Sequence, residues 1–196
     1  DEHVAAFRAD GFVRLGGVAS AAEAAAYRRP IASAVERHST ENRPLSERDS
    51  YGMAFLQVMN LWRHDEAVAR FVLAPRFAGI AARLLGVPRV RLYHDQALFK
   101  EPGGGHTPWH QDEAYWEQPK VTAHSLSVWT PLDDVTVDSG CMQFLPGSHR
   151  SDVVGHRNVG LGEPLVLEDA PDFSTSVACP IAAGAATVHH CRTIHY

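Results

Sequence analysis

The hydrophobic period of this chain changes at Arg89, and that change limits its fold more than any other feature. Before it the pattern is helical. Ser20 is a good N-cap for the Ala-rich run Ala21–His38, within which Pro30 is expected to kink or break the helix. A second helical block is split by Pro75. Its later part places Phe77, Ile80, Ala81, Leu84 and Leu85 on one stripe, and Gly86-Val87-Pro88 stops it. Phe12–Leu15 is a short apolar segment after a first short helix, residues 42–51 read as a loop, and residues 55–62 have no assignable period.

After Arg89 the residues Val90, Leu92, His94, Gln96, Leu98 and Lys100 alternate with Arg91, Tyr93, Asp95, Ala97 and Phe99, as in a strand. Further strands are expected over residues 123–130, 164–167, 176–179 and 185–191. Pro131, Gly140, Pro146-Gly147, Gly160, Gly162 and Gly184 supply turns. Helices followed by many short strands imply a mostly-β chain with N-terminal helices. A helical layer over residues 1–88 would support a β-sandwich or jelly roll over residues 89–196, as one domain.

With 196 residues, 45% of them hydrophobic, the chain can bury a proper core. Its formal charge is −5 and its Arg and Lys are scattered, so there is no footprint for nucleic acid or a membrane surface. No apolar run approaches the roughly 20 residues of a membrane span, and the first residues do not resemble a signal peptide. Cys141, Cys179 and Cys191 are odd in number and far apart, which points to free thiols in a reducing, cytoplasmic compartment.

Chemistry concentrates at His110-Gln111-Asp112. On a strand, side chains two residues apart leave the same face. An imidazole and a carboxylate there make two thirds of the facial triad that holds Fe(II) and leaves three positions open. H-x-D is common by chance, and the bland alternative is that Asp112 only caps a turn. The third ligand should be a distant His, and His189, His190 and His195 are available. His189 and His190 are adjacent, so on a strand at most one faces inward. Gly103-Gly104-Gly105 precedes no G-K-[ST] helix start, which rules out a phosphate loop.

His110-Gln111-Asp112, Trp129-Thr130-Pro131-Leu132, the segment from Asp138 to His149, and the pair His190 and His195 occur in an order that resembles the phytanoyl-CoA dioxygenase family. The start, Phe7-Arg8-Ala9-Asp10-Gly11-Phe12-Val13, is similar to that family's start. The resemblance implies a double-stranded β-helix (jelly roll, cupin-like) that binds Fe(II) and 2-oxoglutarate. Such enzymes use O2 to convert 2-oxoglutarate to succinate and CO2 while oxidising a substrate. It further implies that His110, Asp112 and His195 are the metal ligands, with His190 lining the pocket, supporting the site or packing. Halogenating relatives have Gly or Ala where Asp112 stands, so hydroxylation-type chemistry is favoured.

By matching position, Gln96, Thr107 and Trp129 are the expected co-substrate neighbours. The distal carboxylate of the co-substrate needs a cation, which the resemblance puts roughly ten residues after the distal His, with a Ser or Thr between. The sequence stops one residue after His195, so that Arg and a last strand are expected beyond Tyr196, with Lys100 as the fallback and Arg192 exposed. Glu113, Tyr115 and Trp116 follow the metal pair and are the expected substrate contacts. His149 and His156 read as surface residues, and the role of residues 138–149 as structural. The substrate is expected to be a small organic molecule. A fatty acyl thioester is disfavoured by the lack of a basic groove, and hydroxylation, desaturation, epimerisation and cyclisation all remain open. Two further readings are a cupin-like metal-binding or sensor domain without turnover, and a metal-free sugar-binding jelly roll. The latter leaves three ligand-type residues unexplained.

Overall fold

A computed structural model of the chain describes residues 2–116, 124–158 and 165–196. The expected strand starts at 123 and 164 and the turn residues Gly160 and Gly162 lie outside them. The Ala-rich helix begins after Ser20 and the last helix ends at Gly86, where the sequence places a cap and a stop. Helix α1 (Glu2–Asp10) stops at Gly11, whose φ of +82° turns the chain directly into β1 (Phe12–Leu15). A Cβ on Gly11 would lie 2.4 Å from His149 Nδ1 and 2.6 Å from Thr193 Oγ1. Gly17, with φ +66°, has nothing within 4 Å of such an atom. Gly17→Ala should therefore cost only the left-handed penalty of about 1–2 kcal/mol, and Gly11→Ala clearly more. Equal shifts in the urea midpoints of the two variants would contradict this.

Helix α2 (Ala21–His38) starts on Ser20, whose hydroxyl accepts from Glu23 N at 3.1 Å. It runs through Pro30 as one helix, so the expected break does not occur. Ile31, Ala34 and Val35 just beyond the proline are buried with Val58, Leu61, Val68 and Phe71. Burying such side chains is worth about 1.5–3 kcal/mol for each large one, enough to offset the ~3 kcal/mol of an interior proline. Residues 42–51 are not all loop: they hold a 3-10 turn, Leu45–Glu47, and the start of α3 (Ser50–Ala54), capped by Asp49. Helix α4 (Glu66–Val72) is capped by Asp65. Helix α5 (Pro75–Leu85) has Pro75 in its first turn and ends at Gly86 in the left-handed region. Of the expected stripe, Ala81 and Leu84 are buried, while Phe77 and Ile80 pack at the edges of two apolar clusters.

Strand β2 (Leu56–Met59) lies where the sequence had no readable period, and it pairs antiparallel with β3 (Gln96–Phe99). The long strand expected from Val90 shrinks to β3. Asn60, at φ 55°, ends β2, and its N–H donates to Asp95 O at 2.9 Å, while Asp95 Oδ1 accepts from Trp62 N at 3.3 Å. Residues just before β3 are thus held against the turn Leu61–Arg63 instead of a partner strand. The remaining strands are β4 (Leu126–Trp129), β5 (Gln143–Phe144), β6 (His156–Asn158), β7 (Leu165–Leu167), β8 (Val177–Ala178) and β9 (Ala186–His190).

All these ladders are antiparallel: a three-stranded sheet in the order β1-β9-β4, and the pairs β2-β3, β5-β8 and β6-β7. Phe7, Val13, Leu84 and Val188 form the core between that sheet and α1 and α5. The first 88 residues are therefore more than a supporting layer, because β1 belongs to the sheet built on β9. The three cysteines are free and buried, and burial pushes the Cys179 and Cys191 thiols up to about 11. No helix among the described residues is long and apolar enough to cross a membrane.

Candidate metal centre

Strand β9 places the site because it is paired on both edges. Its Val188 faces the helices. By alternation Thr187 and His189 take the opposite face, together with their cross-strand partners Trp129 and Ser127 on β4 and Phe12 on β1. Beyond β9 the chain turns, with Thr193 N donating to His190 O at 2.8 Å, and His195 comes to lie opposite His110. Two main-chain bonds of 2.9 Å, His110 N to His195 O and His195 N to His110 O, join the two segments. Thr193 Oγ1 donates to Gly11 O at 2.7 Å and Ser148 Oγ accepts from Ile194 N at 2.9 Å, so the distal segment is held from several sides.

His110 is not on a regular strand as expected. It makes an isolated bridge, and Asp112 opens a 3-10 turn, Asp112–Tyr115. Gln111 between them, fully buried, explains the departure. Its N–H donates to His156 Nε2 at 3.3 Å, its Oε1 accepts from Val154 N at 2.9 Å and its Nε2 donates to Arg192 O at 2.7 Å. These bonds take the place of a sheet ladder.

Among the described residues, His110, Asp112 and His195 form the one group able to hold a metal ion, their donor atoms within 4.8 Å of one another. His110 Nδ1 lies 2.8 Å from Pro108 O, and His195 Nδ1 lies 2.9 Å from Thr193 O. A carbonyl only accepts, so both rings carry their proton on Nδ1 and turn the Nε2 lone pair to the site. Those Nε2 atoms stand 3.8 and 3.6 Å from Asp112 Oδ1. Burial pushes both imidazole pKa values down. Burial alone would raise the Asp112 carboxyl, but His195, His189 and His110 outweigh it and hold it well below the usual carboxylate range. Two neutral imidazoles and one carboxylate suit a divalent iron by the chemistry of the donors.

The buried imidazoles also set a pH dependence. His110 and His195 are neutral in the fold but titrate near 6.5 when unfolded, so the unfolded chain binds more protons as the pH falls. Stability is full above that pH and is lost below it, by up to about 1.4 kcal/mol per pH unit for each ring. Asp112 acts only at much lower pH. The urea midpoint of the metal-free protein should fall between pH 7.5 and pH 5.5, and a flat midpoint would contradict the assignment.

Other expected site residues fall at varying distances from the triad. Tyr115 stacks edge-on against His110, ring centroids 5.4 Å apart. Trp116 lies 5.5 Å from Tyr93 and 6.3 Å from His94, and Gln96 Nε2 is 3.2 Å from His94 Nε2. Trp129 shares its sheet face with Ser127, and Thr107 is half-buried in the segment leading to His110. Glu113 turns aside: both its oxygens meet Arg192, at 2.7 Å from Nε and 3.3 Å from Nη2. Arg192 is accordingly not exposed, as its side chain is only 25% accessible and also reaches Asp152. Lys100 is exposed and donates to Gly105 O at 3.2 Å. His149 and His156 are half-buried as well, and not surface residues. His149 packs under Gly11, and His156 supports Gln111.

The sequence offered His189 only as one of three candidate ligands, and it missed Ser127. His189, 3% exposed, has its Nε2 3.1 Å from Asp112 Oδ2, and Ser127 Oγ is 2.5 Å from the same oxygen. His190 faces the other way, its Nδ1 accepting from Arg192 N at 3.1 Å.

Residues 7–196 match the family model described as Phytanoyl-CoA dioxygenase (PhyH). A probable alpha-ketoglutarate-dependent hypophosphite dioxygenase from Stutzerimonas stutzeri is 30% identical over 145 residues, covering 71% of this chain and 50% of that protein. The crystal structure of the non-haem, alpha-ketoglutarate-dependent carbocyclase SnoK from nogalamycin biosynthesis superposes with a TM-score of 0.80 at 30% identity, covering 100% of this chain and 76% of that one. The epimerase SnoN, in complex with Fe3+, alpha-ketoglutarate and nogalamycin RO, gives a TM-score of 0.75 at 30% identity over 99% of this chain and 75% of that one. The chain spans about half the length of the curated relatives it matches.

Fold and donor set together are those of the 2-oxoglutarate-dependent non-haem iron oxygenases, whose cofactors are iron and 2-oxoglutarate. Within that class, this chain belongs to the phytanoyl-CoA dioxygenase family.

Proposed function

We propose that residues 1–196 carry a single Fe(II)- and 2-oxoglutarate-dependent oxygenase domain with a jelly-roll core, which oxidises a small organic molecule. The convergence of two Nδ1-protonated imidazoles and one carboxylate within 4.8 Å, in a chain of this family, carries the reading. When bound, the iron and 2-oxoglutarate supply the oxidising power, as decarboxylation to succinate and CO2 is coupled to reduction of O2. The protein's part is to hold and shape. His110 and His195 present neutral nitrogens, and Asp112 supplies the negative charge that a divalent ion needs. Tyr115, more than a third exposed and edge-on to His110, offers ring surface for an apolar or ring-bearing substrate, and the Tyr93–Trp116 pair offers more. Gln96, Thr107 and Trp129 are the proposed co-substrate neighbours, and a substrate contact to Glu113 would compete with its ion pair to Arg192.

Anaerobic titration of the full-length protein with Fe(II) and then 2-oxoglutarate tests this. A weak visible charge-transfer band is expected, followed by succinate once O2 is admitted. Iron binding without the band would favour a metal-binding or sensor domain without turnover.

A further inference from the structure

The three candidate ligands are oriented by different means. Each imidazole is fixed by a carbonyl two residues before it, Pro108 O for His110 and Thr193 O for His195. Asp112 has no such local support: it opens a 3-10 turn, and its carboxylate could rotate about its own side-chain bonds. What holds it comes from the sheet. Ser127 on β4 and His189 on β9 are direct cross-strand partners, so their side chains rise side by side from one face. A carboxylate only accepts, so both donate, and both donate to the same atom, Oδ2. The other oxygen, Oδ1, is the one that faces the two Nε2 atoms.

We propose that Ser127 and His189 are a positioning pair that grips Asp112 by Oδ2 and thereby presents Oδ1 alone to the metal. The proposal rests on the triad reading above. His189 packs beside His195, ring centroids 4.3 Å apart, but it meets the other carboxylate oxygen and stands outside the group of three whose donor atoms converge. Its ring is set by the Phe144 ring, 5.2 Å away between centroids, in a pocket that leaves it 3% exposed. Charge-assisted bonds of this kind are about twice as strong as neutral ones, and two on one oxygen fix the rotation of the group. The arrangement also ties metal affinity to strand register, because a slip of one residue between β4 and β9 would put the two donors on opposite faces of the sheet.

The test is titration with Co(II), without 2-oxoglutarate, followed by its visible absorption, alongside urea unfolding of the metal-free protein. Wild type should bind. His189→Leu and Ser127→Ala should each weaken Co(II) affinity about 10–100-fold, the usual effect of removing a hydrogen-bond partner of a ligand. His189→Gln, which keeps an N–H donor near the position of Nε2, should recover most of that loss. The unfolding midpoints should not follow the affinities. Wild-type affinity in both His189→Leu and Ser127→Ala would overturn the positioning role, as would a folded His189→Gln no better than His189→Leu. If His189→Leu does not fold, Ser127→Ala decides alone. Failure of wild type itself to bind Co(II) would instead sink the triad reading.

Discussion

Asp112→Ala should abolish 2-oxoglutarate decarboxylation, His110→Ala and His195→Ala should do the same, and His190→Ala should retain most of it. The first three remove an atom of the group that converges within 4.8 Å. Losing an outer hydrogen-bond partner of a ligand costs about 10–100-fold, and losing a ligand atom costs more. Asp112 should be the most sensitive, because its carboxylate is the charge that balances the cation between two neutral rings. The protein should stay folded, since removing a buried carboxylate relieves a desolvation cost. His190 is the contrast: it lies next in sequence to His189 but on the opposite face of β9, bonded to Arg192 N. The check is succinate formed per enzyme, with metal content measured on the same samples. Wild-type turnover by Asp112→Ala, or a larger loss in His190→Ala than in His195→Ala, would displace the assignment.

The second large effect is on stability. Phe144→Ala should lower the unfolding free energy by about 3–5 kcal/mol, the range for deleting a fully buried phenyl ring. Phe144 is 0% exposed, and its ring stacks on Phe12 at 4.6 Å and 17°. It also borders His189 at 5.2 Å and His195 at 6.1 Å. Neighbours held by sheet and bridge bonds collapse poorly into the space left, so the cavity persists. Its cross-strand partner Val177, 37% exposed, is the control: Val177→Ala should stay within roughly 0.5 kcal/mol. Urea midpoints of the two variants decide the matter, and a loss under about 1 kcal/mol for Phe144→Ala would refute the packing argument.

Local signals were readable in the sequence and distant pairings were not. Ser20 and Gly86 are capping residues whose effect spans one helical turn, so one helix start and one helix end could be placed from them. His110 and Asp112 could be nominated from residue type and spacing, and His195 from the resemblance to a known family. The faces of His189 and His190 could not, because alternation says only that they differ. Which one meets Asp112 is settled by the pairing of Leu126 with His190 and Ser127 with His189. Likewise Glu113 gives no local hint that its partner is Arg192, 79 positions away. Strand β2 was unreadable because only Val58 of its four residues is fully buried, so no alternation shows.

The pairing of β1 with β9, and the bond from Thr193 to Gly11 O across 182 positions, govern when the site can exist during synthesis. At 5–20 residues per second, a ribosome needs about 10–40 s to travel that stretch. Throughout it β1 has no strand to join, and two of the four groups around Asp112 Oδ1 and Oδ2, namely His189 and His195, have yet to be made. On the proposed assignment, iron could not be captured by a partly made chain through these residues. Under the proposed assignment, loading would follow closure of the first strand onto one of the last, so shortening the N-terminal segment would remove the partner of the strand that carries His189.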